Sequence, residues 1–328
     1  MQDRLALFAA NAQGIKNDFV WQDDMTKRHA AFLYAQANRT IDCEALRQCH
    51  AMIKQNTGVF SIFRDNMVVC LAALLSLSQE PQELLDDTLK VYDMLKEAKF
   101  SVSDYLVIAA YQIAAQARPT KHQDVVSRMR AFYDGMKAHH FFITGEDDYT
   151  FAAMLGLSDL GVMAGTERIE QLYNQLKGEF LDKNSVQALA HVLVLGGSNS
   201  NTVDRVLSLR DALKAKKIRL DKSTAMPILG ILAMLPAETD EIVSGIGEAQ
   251  KYLREQSGFG SLSVTTEEIL LFAAAAQADV YKESAGGDVL DAAISTSITN
   301  IIIAQQVALM IMMIAAVNIV VMSSSASS

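Results

Sequence analysis

The apolar positions of this chain fall on a helical period almost from its first residue. Leu5, Phe8, Ala9 and Ala12 share one face of a helix predicted over residues 1–24. Two further stripes predict helices over 25–37 and 43–55, separated by the polar turn Asn38-Arg39-Thr40. The pattern then returns at long range. TLKVYDMLKEAKF (88–100) has later copies in FYDGMKAHHF (132–141), LYNQLKGEF (172–180) and LRDALKAKKI (209–218).

Two sets of positions measure the interval. Ile53, Leu95, Met136, Leu176, Leu213 and Leu253 are spaced by 42, 41, 40, 37 and 40 residues. In the helix before each of the later anchors, and again beyond the last, a small residue recurs: Ala73, Ala114, Ala153, Ala190, Gly230 and Ala273. Four residues upstream lie Val69, Ala110, Tyr149, Val186, Met226 and Ile269, which is the spacing of a packing stripe. A drifting period of about 40 residues is what a tandem of two-helix units with variable loops leaves behind.

Boundary residues suit this reading. Pro81 falls at the first turn of a helix, where its missing N–H costs little, and Thr265 with Glu268 has capping-box spacing. The stretch 196–201 and Pro236 read as loops, while Pro227 must sit in a first turn or kink its helix. The expected fold is all-α: a right-handed α-solenoid of about six two-helix repeats, similar to HEAT-like arrays. Residues 1–24 form its capping helix and 25–283 the repeat domain. A break at 284–291 leads to an apolar C-terminal helix at 292–322 and a Ser-rich end at 323–328, expected to be disordered.

Composition changes the picture in three ways. Half the residues are apolar and only four are proline, which favours helices over strands. A net charge of −9 with scattered basic residues argues against nucleic acid as a partner; the densest cluster, Lys214, Lys216, Lys217 and Arg219, reads as a solvated helix end. Three cysteines without a CxxC pair fit free thiols and a cytoplasmic setting, and the N-terminus lacks the continuous apolar core of an export signal.

Candidate chemistry is sparse. No GxxxxGK[ST], HExxH, GxSxG or strand-linked GxGxxG occurs. Asp86-Asp87 and the acidic run 146–148 lack the spacing that would stack carboxylates one turn apart, and they read as charge at helix starts. His139-His140 reads as a helix C-terminal cap, His191 as a buried histidine with a hydrogen-bond partner, and Cys43 with His50 as a weak zinc pattern. No cofactor or metal is called for. Tyr92, Tyr133 and Tyr173 recur at one repeat position, a packing site first and a possible recognition ladder second.

After Asp291 the remaining 37 residues carry no charged side chain. Within them 301–322 is long enough to cross a bilayer, though Gln305, Gln306 and Asn318 interrupt it. Ile301, Ile302, Ile303, Met310, Ile311, Met312, Met313 and Ile314 make it a candidate membrane or self-association segment, or a helix that closes the open end of the array.

Six stretches spread over the chain, KQNTGVFS (54–61), RAFYDGMKAHHFF (130–142), ERIEQLYNQLKGEF (167–180), VLVLGGS (192–198), GFGSLSVTT (258–266) and AAISTSITNIIIAQQ (292–306), resemble an uncharacterised Gram-positive bacterial family known only as a domain of unknown function. The resemblance implies no activity, cofactor or catalytic residue. The Met- and Val-rich end here departs from the Ala- and Ser-rich tails of that family. The expected function is a non-catalytic scaffold that binds a protein or peptide in the groove of stacked repeats. A membrane-attached adaptor anchored by the tail, and a metal-dependent helical enzyme with a site built from several helices, are the alternatives.

Overall fold

The computed structural model describes residues 1–65, 67–197, 199–221 and 225–284, and among them holds fourteen α-helices, three short 3-10 turns and no strand. The helices are α1 (Gln2–Gly14), α2 (Asp24–Gln36), α3 (Cys43–Asn56), α4 (Val68–Ser76), α5 (Pro81–Glu97), α6 (Asp104–Gln116) and α7 (His122–His139). They continue as α8 (Tyr149–Leu157), α9 (Val162–Leu176), α10 (Lys183–Leu195), α11 (Thr202–Ala215), α12 (Met226–Met234), α13 (Thr239–Glu255) and α14 (Thr266–Ser284). Expectations for residues beyond 284, including the break, the apolar helix and the Ser-rich end, lie outside the described residues.

Local chemistry sets the starts. Asp23, Asp42, Ser103 and Asp182 cap α2, α3, α6 and α10 by accepting from backbone N–H groups two or three residues on. Pro81 opens α5, and Pro227 lies within the first turn of α12, where it costs no internal hydrogen bond. The first helix stops at Gly14 rather than running to residue 24, because the chain turns through Phe19 at positive φ (48°). Thr265 accepts from the Glu268 N–H at 3.1 Å, but the Glu268 carboxylate turns away from the capping box toward Arg28.

Burial divides the helices into two classes. Even-numbered helices are covered on all sides: every residue of α4 is buried, as are Thr26–Ala35 of α2 and Met226–Ala233 of α12. Odd-numbered helices bury one stripe and expose charge on the other, as α5 does with Leu85, Thr88, Val91, Tyr92 and Leu95. Even helices therefore form an inner layer and odd helices an outer one. Each odd helix packs on the even helix that follows it, from α1 on α2 to α13 on α14. Most neighbouring even helices also touch, α6 on α8 and α10 on α12 most closely. Gly230 of α12 lets this approach happen, since a Cβ there would meet Leu189 at 2.7 Å and Val192 at 3.1 Å.

The six anchors from Ile53 to Leu253 lie in α3, α5, α7, α9, α11 and α13, and each is at most 1% exposed. Phe8 of α1 packs edge-on against Phe32 of α2 at 5.1 Å, so α2 belongs with the helix before it.

The first and last pairs also meet. α1 packs on α13 and α2 on α14. Phe8 contacts Phe259 at 5.1 Å and Phe272 at 4.7 Å, and Arg28 Nε donates to Glu268 Oε1 at 2.8 Å with both side chains buried. Gln13 adds a bond to the Ser257 carbonyl at 2.5 Å. The first two helices and the last two are thus in direct contact.

Candidate functional site

The recurring tyrosines are interior. Tyr92, Tyr133 and Tyr173 are at most 7% exposed, and they pack against Phe63 (4.9 Å), Tyr149 (5.2 Å) and His140 (4.1 Å) respectively. Lys96, Lys137 and Lys177, each four residues on, lie 5.5, 5.4 and 6.0 Å from those rings. Burial raises all three phenols, Tyr133 to about 12. The repeated Tyr-x-x-x-Lys is therefore a packing position with its charge directed outward, and the tyrosines line no open groove.

The acidic candidates separate. Asp86 and Asp87 pair within their own helix, with Gln82 at 2.8 Å and Lys90 at 3.0 Å. Cys43 approaches the Gly14 carbonyl and Asp18, while His50 lies against Phe19 at 5.5 Å. Among the described residues no three His, Cys, Asp or Glu side chains converge as metal ligands would.

Asp148 behaves differently from its neighbours in the run 146–148. It is 2% exposed, its Oδ2 accepts from the Gly145 N–H at 3.0 Å and from Gln187 Nε2 at 3.1 Å, and Oδ1 stands 3.6 Å from His191 Nδ1. Burial pushes its carboxyl up to about 8, helped by the charge of Asp147. Burial also draws His191, which is fully enclosed, down to about 3, and His140 adds to that shift. Both groups are therefore neutral at pH 7. Neither nitrogen of His191 has a hydrogen-bond partner, which differs from the expected satisfied histidine. Nearby, His140 and His139 both face Glu170, at 2.7 and 3.9 Å, the shorter contact lying out of line for a hydrogen bond. The vicinal pair thus shares one carboxylate across α7 and α9. Acid–base groups are present in this cluster, but its centre is sealed from solvent.

A set of large apolar side chains stands exposed. Val20 and Trp21 lie between α1 and α2, Val59 and Phe60 between α3 and α4, Val102 between α5 and α6, Phe141 and Phe142 between α7 and α8, Leu181 between α9 and α10, and Leu262 between α13 and α14. Phe60, Phe142, Leu181 and Leu262 are 96% exposed or more. Every one of these loops carries the chain from an outer helix into an inner one, so all gather at one end of the layered array. At the other end only Met163, in the first turn of α9, is a comparably exposed large apolar side chain among the described residues.

Comparison with known proteins adds a family. The profile described as "Protein of unknown function (DUF4003)" matches residues 11–307. The chain belongs to this family. It is also similar to the uncharacterized protein YeaA of Bacillus subtilis (strain 168), 21% identical over 166 residues, which cover 49% of this chain. The match spans 50% of the relative's own length. No solved structure matches.

Within this DUF4003 chain the rim went unread because apolar residues in loops carry no periodicity. A signal was present all the same: Phe60 in NTGVFS, Phe142 after HHF and Leu262 in GFGSLS are bulky residues set inside turn-forming stretches. The tail residues Ile301, Ile302, Ile303, Met310, Ile311, Met312, Met313 and Ile314 lie outside the described residues. No helix among the described residues is long and apolar enough to cross a membrane.

Proposed function

We propose that this protein is a non-catalytic helical-repeat scaffold that acts by docking, and that the apolar rim is its attachment surface. Its repeat unit would be one outer and one inner helix, giving seven units in place of the six expected. The array, expected from sequence to be a right-handed open solenoid, would then be a ring. A peptide groove along the inner helices does not suit that arrangement, because those helices are buried on all sides. The observation that supports docking at the rim is the set of side chains, Phe60, Phe142, Leu181 and Leu262, that touch almost nothing of their own fold.

A photoreactive phenylalanine placed at 60 or 142 in cells tests this. Adducts are expected at both positions and not at the exposed polar residue Glu80 on the opposite end. Equal or absent labelling at all three positions would sink the reading. The tail-anchored adaptor remains a second reading, motivated by the charge-free run from 292 onward. Truncation after Gly287 then releases a folded body from the membrane fraction, and a body that stays membrane-bound counts against the anchor.

A further inference from the structure

We infer that the rim docks on the surface of a lipid bilayer containing anionic headgroups, an inference that rests on the rim being the attachment surface. Trp21, Phe60, Val102, Phe142, Leu181 and Leu262 project from six separate loops at one end of the molecule. A protein partner would have to supply a matching pocket for each tip, since binding hot spots are well-packed and desolvated. A bilayer interface has no fixed shape, and it accepts aromatic and aliphatic tips wherever they reach it.

Charge is arranged to match. Six of the seven outer helices, all but α9, have acidic first turns, with Asp3, Glu44, Glu83, Asp124, Asp204 and Asp240 at the end away from the rim. The last turns of α3, α5, α7, α11 and α13, next to the rim, carry Lys54, Lys96, Lys137, Lys214 and Arg254, with Glu97 and Glu255 ending α5 and α13. A chain of net charge −9 thus sets basic side chains around its apolar tips, interspersed with Glu97, Glu146, Asp147, Glu179 and Glu255. Several carboxylates at that end are already engaged: Asp23 and Asp182 as helix caps, Asp18 by Arg47 and Asp221 by Arg219. Lysines set one turn behind apolar tips can reach headgroup phosphates while the tips enter the acyl boundary.

The molecule carries its own reporter, because Trp21 is its single tryptophan and lies on the rim, 63% exposed. The full chain is mixed with phosphatidylglycerol–phosphatidylethanolamine vesicles. Trp21 emission is expected to shift to the blue and to be quenched by acyl-brominated lipid, and both effects weaken with phosphatidylcholine vesicles. The variant Phe60→Ser/Phe142→Ser/Leu181→Ser/Leu262→Ser keeps Trp21 and the melting temperature, since those side chains are exposed, and lowers the partition coefficient about 100-fold or more. A second full-chain variant, Ile311→Asp/Ile314→Asp, leaves the Trp21 response in place.

Three results would overturn the inference: an unchanged Trp21 spectrum with every vesicle, a rim variant that partitions like the parent, or a response abolished by the tail variant alone. Photoadducts to a discrete protein at 60 and 142 without a vesicle response would reject the lipid surface and leave docking intact. Neither adducts nor response would reject both.

Discussion

Asp148 and His191 face each other across α8 and α10, and their burial gives the fold a pH dependence of known sign. Asp148 keeps its proton up to about pH 8 in the fold, whereas an unfolded carboxyl loses it near pH 4. Within that window the native state binds the extra proton, so rising pH favours unfolding by roughly 1.4 kcal/mol per unit. His191 acts in the opposite direction: its pKa falls to about 3, so from there to about 6.5 the unfolded chain binds the extra proton and stability rises with pH. The two contributions oppose each other between about pH 4 and 6.5, and Asp148 acts without that offset above it. Asp148→Asn keeps an acceptor for the Gly145 N–H and removes the titration. The variant is expected to gain roughly 2 kcal/mol on the parent between pH 6.5 and 8, read by urea unfolding at both values. A difference that does not change with pH would mean the carboxylate is charged in the fold. Leu95, fully buried in α5, tests packing at the same scale: Leu95→Ala is expected to cost about 2 to 5 kcal/mol, and a near-neutral result would undo the alignment of anchors.

At the scale of elements, one contact recurs between an outer helix and its inner partner. Arg4 donates to the carbonyls of Ala35 and Gln36, Arg128 to those of Gly156, Ser158 and Leu160, and Arg205 to those of Leu235 and Ala237. Each guanidinium near the start of an outer helix thus satisfies the orphan carbonyls where the next inner helix ends. Arg128→Ala is expected to lower stability by roughly 1.5 to 3 kcal/mol, as for a lost charged hydrogen bond, and to speed hydrogen exchange at 157–161 before other segments. Protection unchanged there would assign the end of α8 to other contacts. Gly156 shows the same pair from its other side. A Cβ there would stand 2.9 Å from the Met129 nitrogen and 3.0 Å from the Val125 carbonyl, backbone atoms that cannot swing aside. Gly156→Ala is expected to push α7 from α8 and cost about 1 to 3 kcal/mol in thermal unfolding. The buried anchors and the small residue Gly230 were legible in sequence because both follow helix periodicity. These guanidinium contacts were not, since Arg128 and the carbonyls it meets are about 30 residues apart and carbonyls have no sequence signature.

Over the whole molecule, the sequence indicated helices and an interval but not how the succession ends. A period of about 40 residues fits an open array and a closed one equally, and closure depends on the small rotation between units. The contacts that bear on it lie in pairs far apart in the chain: Arg28 with Glu268, Phe8 with Phe272 and Gln13 with Ser257. In sequence Glu268 reads as half of a capping box, which does not point to Arg28 some 240 residues away. Two consequences separate a closed succession from an open one. Arg28→Ala strands the buried Glu268 carboxylate and is expected to cost about 3 to 5 kcal/mol, while Arg28→Met/Glu268→Met recovers most of that loss because no charge is left unpaired. Hydrogen exchange in Arg28→Ala is expected to rise together in α1, α2, α13 and α14 and to stay at the parent level in α7 and α8, since the seam joins the first two helices to the last two. In an open array the terminal pairs would loosen independently, and exchange rising in α2 alone would show that the seam does not close the succession.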